Sequence, residues 1–113
     1  MNDLRFWQAL DTLVARHRLI IDRPRGSAHP RYPEFRYPLD YGYLDGTHSS
    51  DKDGIDVWVG SLAHQQPTAI IVALDLLKRE SEMKILLGCT PTEIQLILTI
   101  HNSGEQSAML IEP

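Results

Sequence analysis

The stretch YGYLDGTHSSDKDGIDVWVG, residues 41–60, places three aspartates directly before a run of apolar and aromatic residues. They are Asp51, Asp53 and Asp56, within six positions. A single aspartate in a turn is ordinary, because its carboxylate hydrogen-bonds the local backbone. Three carboxylates this close repel one another unless a cation lies among them. The stretch therefore predicts either a cation site at the start of a strand or a turn rich in acids.

The composition is typical of a globular protein, with 113 residues, 42% hydrophobic and 23% charged. This length favours a single domain, residues 1–113, built around one core. We expect neither a targeting segment nor a membrane span, since the longest apolar stretch, residues 69–74, is too short to cross a bilayer. The single cysteine, Cys89, excludes an internal disulfide and favours a cytoplasmic location.

The charge is distributed unevenly along the chain, although the net charge is only −4. Residues 1–38 carry seven arginines against four acids, which gives +3, and residues 39–113 carry four bases against eleven acids, which gives −7. If both parts face one cleft, the cleft suits an anion bound together with metal ions. The alternative is that the charges are solvated surface. A carboxylate cluster on an acidic chain would repel a phosphate backbone, so an OB-like nucleic-acid module is the weakest alternative.

Hydrophobic periodicity divides the chain into short elements. Residues 3–17 repeat apolar positions at helical spacing. Thr90 and Glu93 have the spacing of a capping box, so a second helix is expected to begin at Pro91. Four prolines make residues 24–50 an irregular segment. Strands are expected at residues 19–23, 55–60, 69–77, 83–87 and 108–113.

Three segments form an ordered pattern: IIDRPRGSAHPRY (20–32), YPLDYGYLDGT (37–47) and DKDGIDV (51–57). The last is similar to the signature Asp-x-Asp-(Pro/Glu)-apolar-Asp-apolar of the soluble family I inorganic pyrophosphatases. The second is similar to the family's YP-x-NYG(Y/F)-x-x-x-T, and the first to its opening strand and loop. Three ordered pieces at compatible spacing are more specific than any one alone. The chain therefore resembles a short, divergent member of that family, with the match fading toward Lys84.

The resemblance implies an α+β fold, a small closed β-barrel of about five strands, OB-like in shape, flanked by an N-terminal and a C-terminal helix. It also implies an activity, the Mg²⁺-dependent hydrolysis of inorganic pyrophosphate to two phosphates. Pyrophosphate would then be the small-molecule partner and Mg²⁺ the cofactor. A small barrel often buries a face by oligomerising, so we expect a homo-oligomer.

The resemblance further implies which residues form the site. The implied metal ligands are all carboxylates: Asp22, Asp51, Asp53, Asp56 and Glu82. The implied phosphate-binding residues are all cationic: Arg31, Arg36 and Lys84. Two residues have implied catalytic roles. Asp53 would be the general base beside the attacking water, and Tyr41 would donate its hydroxyl to a phosphate.

The chemistry explains why carboxylates would cluster here. Mg²⁺ prefers carboxylate oxygen, and two ions roughly 3.5–4 Å apart can share one carboxylate. Asp56 is the expected shared ligand, because its strand fixes the backbone and alternation sends it to the face opposite Ile55 and Val57. If the cluster holds metal, the metal-free protein carries the repulsion of its carboxylates. Asp56→Asn is then expected to raise the stability of the metal-free form.

Departures from the family pattern keep other functions open. Lys52 and Gly54 replace residues of the signature, the hairpin carrying the family's substrate-binding arginine is missing, and no C-terminal Tyr-Lys pair is present. A non-catalytic descendant that binds metal and phosphate is one alternative. A hydrolase of another small phosphoanhydride is a second.

Individual residues also have ordinary explanations. Asp51 and Asp53 can be turn residues, and Asp22 can pair with a neighbouring arginine at the surface. Trp58 shares the strand face of Asp56, so it can wall the site or seal the barrel. Glu80 is a second candidate for a metal carboxylate, and with Lys84 it can form a solvated pair.

Overall fold

A computed structural model of the chain describes residues 3–49 and 53–113. Within these ranges the chain forms two helices and a six-stranded mixed sheet. In chain order the elements are α1 (Leu4–Arg16), β1 (Leu19–Arg23), β2 (Asp40–Leu44), β3 (Ile55–Val59), β4 (Pro67–Asp75), β5 (Glu80–Leu87), α2 (Pro91–Ile100) and β6 (Gln106–Ile111).

The strands are ordered β1-β2-β3-β5-β4-β6 across the sheet. β3 and β5 are parallel, and every other neighbouring pair is antiparallel. The parallel pair requires a crossover, which β4 provides by lying on the far side of β5. The register of the parallel pair sets Asp56 opposite Lys84 and Trp58 opposite Leu86.

Both faces of the sheet are covered. Val57 and Ile85 pack with Trp7 and Leu10 of α1 in one core cluster. The alternate residues Trp58 and Leu86 pack with residues of α2 in the other cluster, together with the loop residues Tyr37 and Leu39. Alternation along β3 and β5 therefore buries successive side chains on opposite faces.

The expected closed barrel of about five strands is wrong, because the sheet has six strands and is open. Within the described ranges β1 pairs with β2 and β6 pairs with β4, and no pairing joins β1 to β6. A barrel buries one interior face, whereas this sheet buries apolar side chains on both faces, with one helix against each. Closure is therefore not needed to exclude water from the core. The α+β class and the two flanking helices were predicted as observed.

Most of the predicted elements are confirmed, including the capping box of α2, in which the Thr90 side chain accepts from the Glu93 backbone N–H. The exception is β2, which lies inside the segment predicted to be irregular. Gly42 in the middle of β2 weakens the strand pattern, yet a Cβ there would overlap the backbone carbonyl of Ile20 in the neighbouring strand. Glycine is required for the close approach of β1 and β2. Neither α1 nor α2 has the length and hydropathy of a membrane-crossing segment, and the described residues contain no other helix.

Candidate active site

Three neighbouring strands bring polar side chains together on the face of the sheet that α2 covers. Tyr41 on β2 lies opposite Trp58 on β3, and Asp56 on β3 lies opposite Lys84 on β5. Because β2, β3 and β5 are adjacent, the side chains of Tyr41, Asp56 and Lys84 meet. The site is therefore built on strands rather than loops, which fixes its geometry.

Lys84 is the centre of this cluster and only 7% exposed. Its ammonium donates to Asp56 Oδ2 at 2.9 Å, to Glu82 Oε2 at 2.9 Å and to the Tyr41 hydroxyl oxygen at 2.8 Å. The Tyr41 hydroxyl in turn donates to Asp56 Oδ2 at 2.6 Å. An ammonium has three N–H donors, so all three are in use. The aspartate cluster was expected to need a cation, and at Asp56 the ammonium of Lys84 provides one.

The protonation of the cluster follows from its burial and its charges. Burial opposes the ammonium of Lys84, but Tyr41, Asp56 and Glu82 outweigh it and raise the pKa of Lys84 above its ordinary value. Burial also raises the pKa of the Tyr41 phenol well above its ordinary value, against the opposing effect of the Lys84 cation. At neutral pH the cluster therefore contains a charged Lys84 and a neutral Tyr41.

A cleft of about 450 Å³ lies beside this cluster, and we call it the carboxylate cleft. Its carboxylates come from three elements: Asp22 from β1, Asp53 from the loop before β3, and Asp56 from β3. A register irregularity in β1 between Ile21 and Arg23 lies at Asp22, and such a bulge re-aims the side chain at its position. The backbone of Asp53 is held by Ser49, whose N–H donates to the Asp53 carbonyl at 2.7 Å.

The carboxylate cleft has the chemistry of a hard-cation site, since its acidic side chains offer oxygen ligands of the kind Mg²⁺ prefers. Within residues 3–49 and 53–113, however, no three His, Cys, Asp or Glu side chains lie close enough together to hold a metal ion. Asp51, the remaining predicted ligand, lies outside the described residues. The donor chemistry therefore fits Mg²⁺, while the described carboxylates alone make an incomplete ligand set.

The predicted phosphate-binding residues are not brought together. Lys84 lies beside Asp56, but Arg31 and Arg36 are exposed on the loop between β1 and β2 and do not line the carboxylate cleft. The Arg36 guanidinium donates to the Gly26 carbonyl at 3.2 Å, which ties it to its own loop. Glu82 lies on β5 and accepts from Lys84.

Two of the ordinary explanations can be decided. Trp58 is 2% exposed and meets the ring of Tyr41 edge to face, with 4.6 Å between ring centroids, so it belongs chiefly to the core. A solvated pair of Glu80 and Lys84 is wrong, because Lys84 is buried and bonds Asp56 and Glu82, while Glu80 is exposed. The parallel register of β3 and β5 makes Asp56 the partner of Lys84, and this pairing does not follow from the spacing of the two residues along the chain.

Sequence reasoning missed a buried polar chain behind the site. The Trp58 indole N–H donates to His101 Nε2 at 3.1 Å, and His101 Nδ1 lies 3.0 Å from the Gln106 amide oxygen. Nε2 accepts, so Nδ1 carries the proton and donates to Gln106. Burial lowers the pKa of His101, which keeps the ring neutral. Only the position of His101 directly after the α2 pattern marked it in the sequence.

A second cleft, of about 330 Å³, was also missed. We call it the aromatic cleft, because seven ring-bearing side chains line it: His29, Tyr32, Phe35, Tyr37, Tyr41, Trp58 and His101. Lys84 lines it as well, and Tyr37 and Tyr41 line both clefts. The prolines in residues 24–38 hid this grouping, since they suggested only irregular structure.

The lone cysteine does not contribute a nucleophile. Cys89 is buried in the core, and burial, reinforced by Glu93, raises the pKa of its thiol to about 12. Only the thiolate is a good nucleophile, so Cys89 has a packing role.

Comparison with solved structures shows a shared fold. An inorganic pyrophosphatase from Coxiella burnetii is 14% identical, with a TM-score of 0.58 over 83% of this chain and 82% of that chain. An inorganic pyrophosphatase from Helicobacter pylori is 12% identical, with a TM-score of 0.59 over 83% of this chain and 81% of that chain. No curated protein sequence gives a significant match.

The family model for inorganic pyrophosphatase matches residues 15–77, which is more than half of the chain. The matched region contains Asp22, Tyr41, Asp53 and Asp56, and it ends before β5, which carries Glu82 and Lys84. The extent agrees with the three motifs, which lie within residues 20–57. The chain therefore belongs to the inorganic pyrophosphatase family, hydrolases that act on the phosphoric anhydride bond of pyrophosphate.

Proposed function

We propose that this chain hydrolyses inorganic pyrophosphate to two phosphates at the junction of the carboxylate cleft and Lys84, with Mg²⁺ as cofactor. The observation that carries the proposal is the contact between Lys84 and Asp56. It joins the last aspartate of the DKDGIDV motif to a buried cation beside an acidic cleft. Pyrophosphate is a polyanion, so an attacking water reaches its phosphorus only when those charges are neutralised.

The metal would be held by Asp22, Asp51, Asp53 and Asp56, with Glu82 as a further ligand beside Lys84. Bound there, Mg²⁺ would neutralise phosphate oxygens and lower the pKa of a water molecule. The carboxylates arise from separate elements, so the folded sheet is needed to assemble them. Glu80, exposed and distant from Asp56 in the register, has no role in this proposal.

Asp53 would act as the general base. Its carboxylate accepts a proton from water as the water oxygen forms a bond to one phosphorus. The bridging P–O bond breaks, and the departing phosphate keeps the electron pair. Support comes from the position of Asp53, exposed on the loop that lines the carboxylate cleft.

Lys84 and Tyr41 would bind the phosphate, and each would first have to release a hydrogen bond that it makes within the protein. All three Lys84 N–H groups have protein acceptors, so the lysine must release one acceptor before it can donate to phosphate. Tyr41 donates to Asp56 and must likewise redirect its hydroxyl. A cation at Asp56 competes with both for the carboxylate, so metal and substrate binding are expected to cooperate.

Arg31 and Arg36 would contribute attraction at longer range. Both are exposed on the loop between β1 and β2, whose residues Tyr32 and Phe35 line the aromatic cleft. From this loop their guanidinium groups add positive potential around the aromatic cleft, which adjoins Lys84, and this potential speeds the arrival of an anion.

The protein would act in the cytoplasm as a homo-oligomer of one-domain chains. The single cysteine is compatible with a reducing compartment. An apolar patch supports assembly: Val72, Leu74, Met109 and Ile111 are exposed on β4 and on the edge strand β6. Light scattering tests it, since Met109→Lys is expected to shift the mass toward the monomer.

Phosphate release from pyrophosphate, ATP and a sugar phosphate, with Mg²⁺ or with chelator, tests the reaction. Turnover of pyrophosphate that needs Mg²⁺ and is lost in Asp53→Asn supports the proposal. Asp45→Asn is the matched control, because Asp45 is exposed outside both clefts. Tight Mg²⁺ binding without turnover would identify a non-catalytic descendant, and turnover of ATP alone would identify another phosphoanhydride as substrate.

A further inference from the structure

The aromatic cleft adjoins the phosphate-binding residues without resembling a phosphate site. Rings are prominent in its lining, and Tyr41, Glu82 and Lys84, which also line it, belong to the proposed pyrophosphate site. Pyrophosphate is a small inorganic anion with no apolar surface, so rings add nothing to its binding. The volume of about 330 Å³ lies at the lower end of that of small-molecule sites.

The rings are held in place by backbone hydrogen bonds across their own loop. The N–H of His29 donates to the Phe35 carbonyl at 2.9 Å, and the N–H of Phe35 donates to the Tyr32 carbonyl at 2.9 Å. The bridge between Ala28 and Arg36 closes the loop. The cleft is therefore formed before any ligand arrives, which limits the ordering cost of binding.

Tyr32 carries the most exposed ring of the aromatic cleft. Tyr32 is 57% exposed, and its ring lies 5.1 Å from that of His29, tilted by 43°. On its other side His29 contacts Tyr37, with which it is stacked at 6.2 Å and an interplanar angle of 8°. The exposed face of the Tyr32 ring provides a stacking surface for one more flat ring.

The charges of the aromatic cleft orient such a ligand. Asp75, Glu80 and Glu82 line the cleft together with the cations Lys78 and Lys84. The carboxylates repel phosphate and accept hydrogen bonds from amino and hydroxyl groups, whereas the ammonium groups donate to phosphate. Phosphates are therefore directed to the lysines, of which Lys84 also belongs to the proposed pyrophosphate site, and the neutral part of the ligand is directed to Tyr32. Nucleoside diphosphates combine a planar ring, ribose hydroxyls and a phosphoanhydride in that order.

We propose that the aromatic cleft binds the base of a nucleoside diphosphate whose phosphates lie at Lys84, with the base stacked at Tyr32. The proposal rests on the proposed function, because it needs phosphate at Lys84. It adds a ligand class that pyrophosphate hydrolysis does not require.

Two non-hydrolysable probes isolate the ring: adenosine 5′-(α,β-methylene)diphosphate and methylenediphosphonate, which lacks the nucleoside. With Mg²⁺ present, calorimetry on the wild type is expected to show the nucleotide binding about tenfold more tightly, the size of one stacking contact. Tyr32→Ala is expected to remove this advantage and Tyr32→Phe to keep it, since the ring remains. Phe6→Ala, an exposed aromatic on α1 outside both clefts, is expected to leave it unchanged.

Equal affinity of the two probes for the wild type, or an advantage that survives Tyr32→Ala, would overturn the nucleotide site. Pyrophosphate hydrolysis is measured on the same proteins to separate the two proposals. Normal turnover without a nucleotide advantage removes only the nucleotide site. A nucleotide advantage that depends on Tyr32, without pyrophosphate turnover, supports the nucleotide site and removes the proposed reaction.

Discussion

The ammonium of Lys84 lies 2.9 Å from Asp56 Oδ2, although the two residues are 28 positions apart in the chain. The parallel pairing of β3 and β5 sets them opposite each other. Without metal, Lys84 neutralises part of the acidic cluster. A metal cation bound at Asp56 would share the Asp56 carboxylate with Lys84 or displace Lys84 from it. The contact between Lys84 and Asp56 therefore links stability, metal binding and phosphate binding.

Lys84→Met is expected to abolish most activity, because one donor to a developing phosphate charge is worth about 10²–10³ in kcat. The variant also leaves Asp56 and Glu82 without their shared cation, which is expected to cost about 1–3 kcal/mol of stability. Affinity for Mg²⁺ is expected to rise, since the competing cation is gone. Enzyme kinetics, urea unfolding and Mg²⁺ titration measure the three effects. Arg16→Met on α1 is the control, and weaker Mg²⁺ binding by Lys84→Met would show that Lys84 supports the metal site rather than competing with it.

Asp56→Asn is expected to destabilise the metal-free protein, by about 1–2 kcal/mol, because it weakens the contacts with Lys84 and Tyr41. This reverses the expectation from the sequence, in which unrelieved repulsion among three aspartates predicted a gain. Thermal unfolding in chelator decides the matter, with Asp45→Asn as the exposed control. A higher melting temperature for Asp56→Asn would mean that repulsion, and not the Lys84 contact, dominates.

Mg²⁺ is expected to stabilise the wild type, since the ion would bind the folded cleft and hardly the unfolded chain. At a concentration 100 times Kd the gain is about 2.7 kcal/mol. Asp22→Asn and Asp56→Asn are each expected to lose most of it, while Asp45→Asn retains it. Melting curves at matched ionic strength, with Na⁺ replacing Mg²⁺, provide the measurement. A response shared by all four proteins would place Mg²⁺ outside the carboxylate cleft.

Stability is expected to fall as the pH drops below about 6.5, the ordinary pKa of histidine. Burial lowers the pKa of His101 in the folded state, so the unfolded chain binds more protons in this range and is favoured by acid. One such group contributes up to about 1.4 kcal/mol per pH unit.

Urea unfolding between pH 5 and 8 measures this slope. His101→Gln is expected to reduce it, and the exposed His64→Gln is expected to leave it unchanged. His29 also has a lowered pKa, through burial and Arg23, so part of the slope is expected to remain. An unchanged slope in His101→Gln would assign the pH dependence to other groups.

The sequence alone determined the local elements and the family. The helix after Thr90 could be predicted because the capping box acts within four residues, and β3 could be predicted from five residues of a single pattern. The DKDGIDV motif identified the family because its three aspartates lie within six positions of the sequence. The same locality explains the failure at β2, where Gly42 weakens the strand pattern and is explained only by the approach of β1.

Only the tertiary structure determined which side chains and strands from distant parts of the sequence are in contact. The partner of Asp56, the open sheet and the chain of Trp58, His101 and Gln106 depend on pairings between distant segments. Such pairings are selected by the burial of both sheet faces, a property of the whole chain that no short window contains. Lys84 is therefore a buried cation in contact with two carboxylates and a phenol, where its sequence neighbours suggested a lysine at the surface.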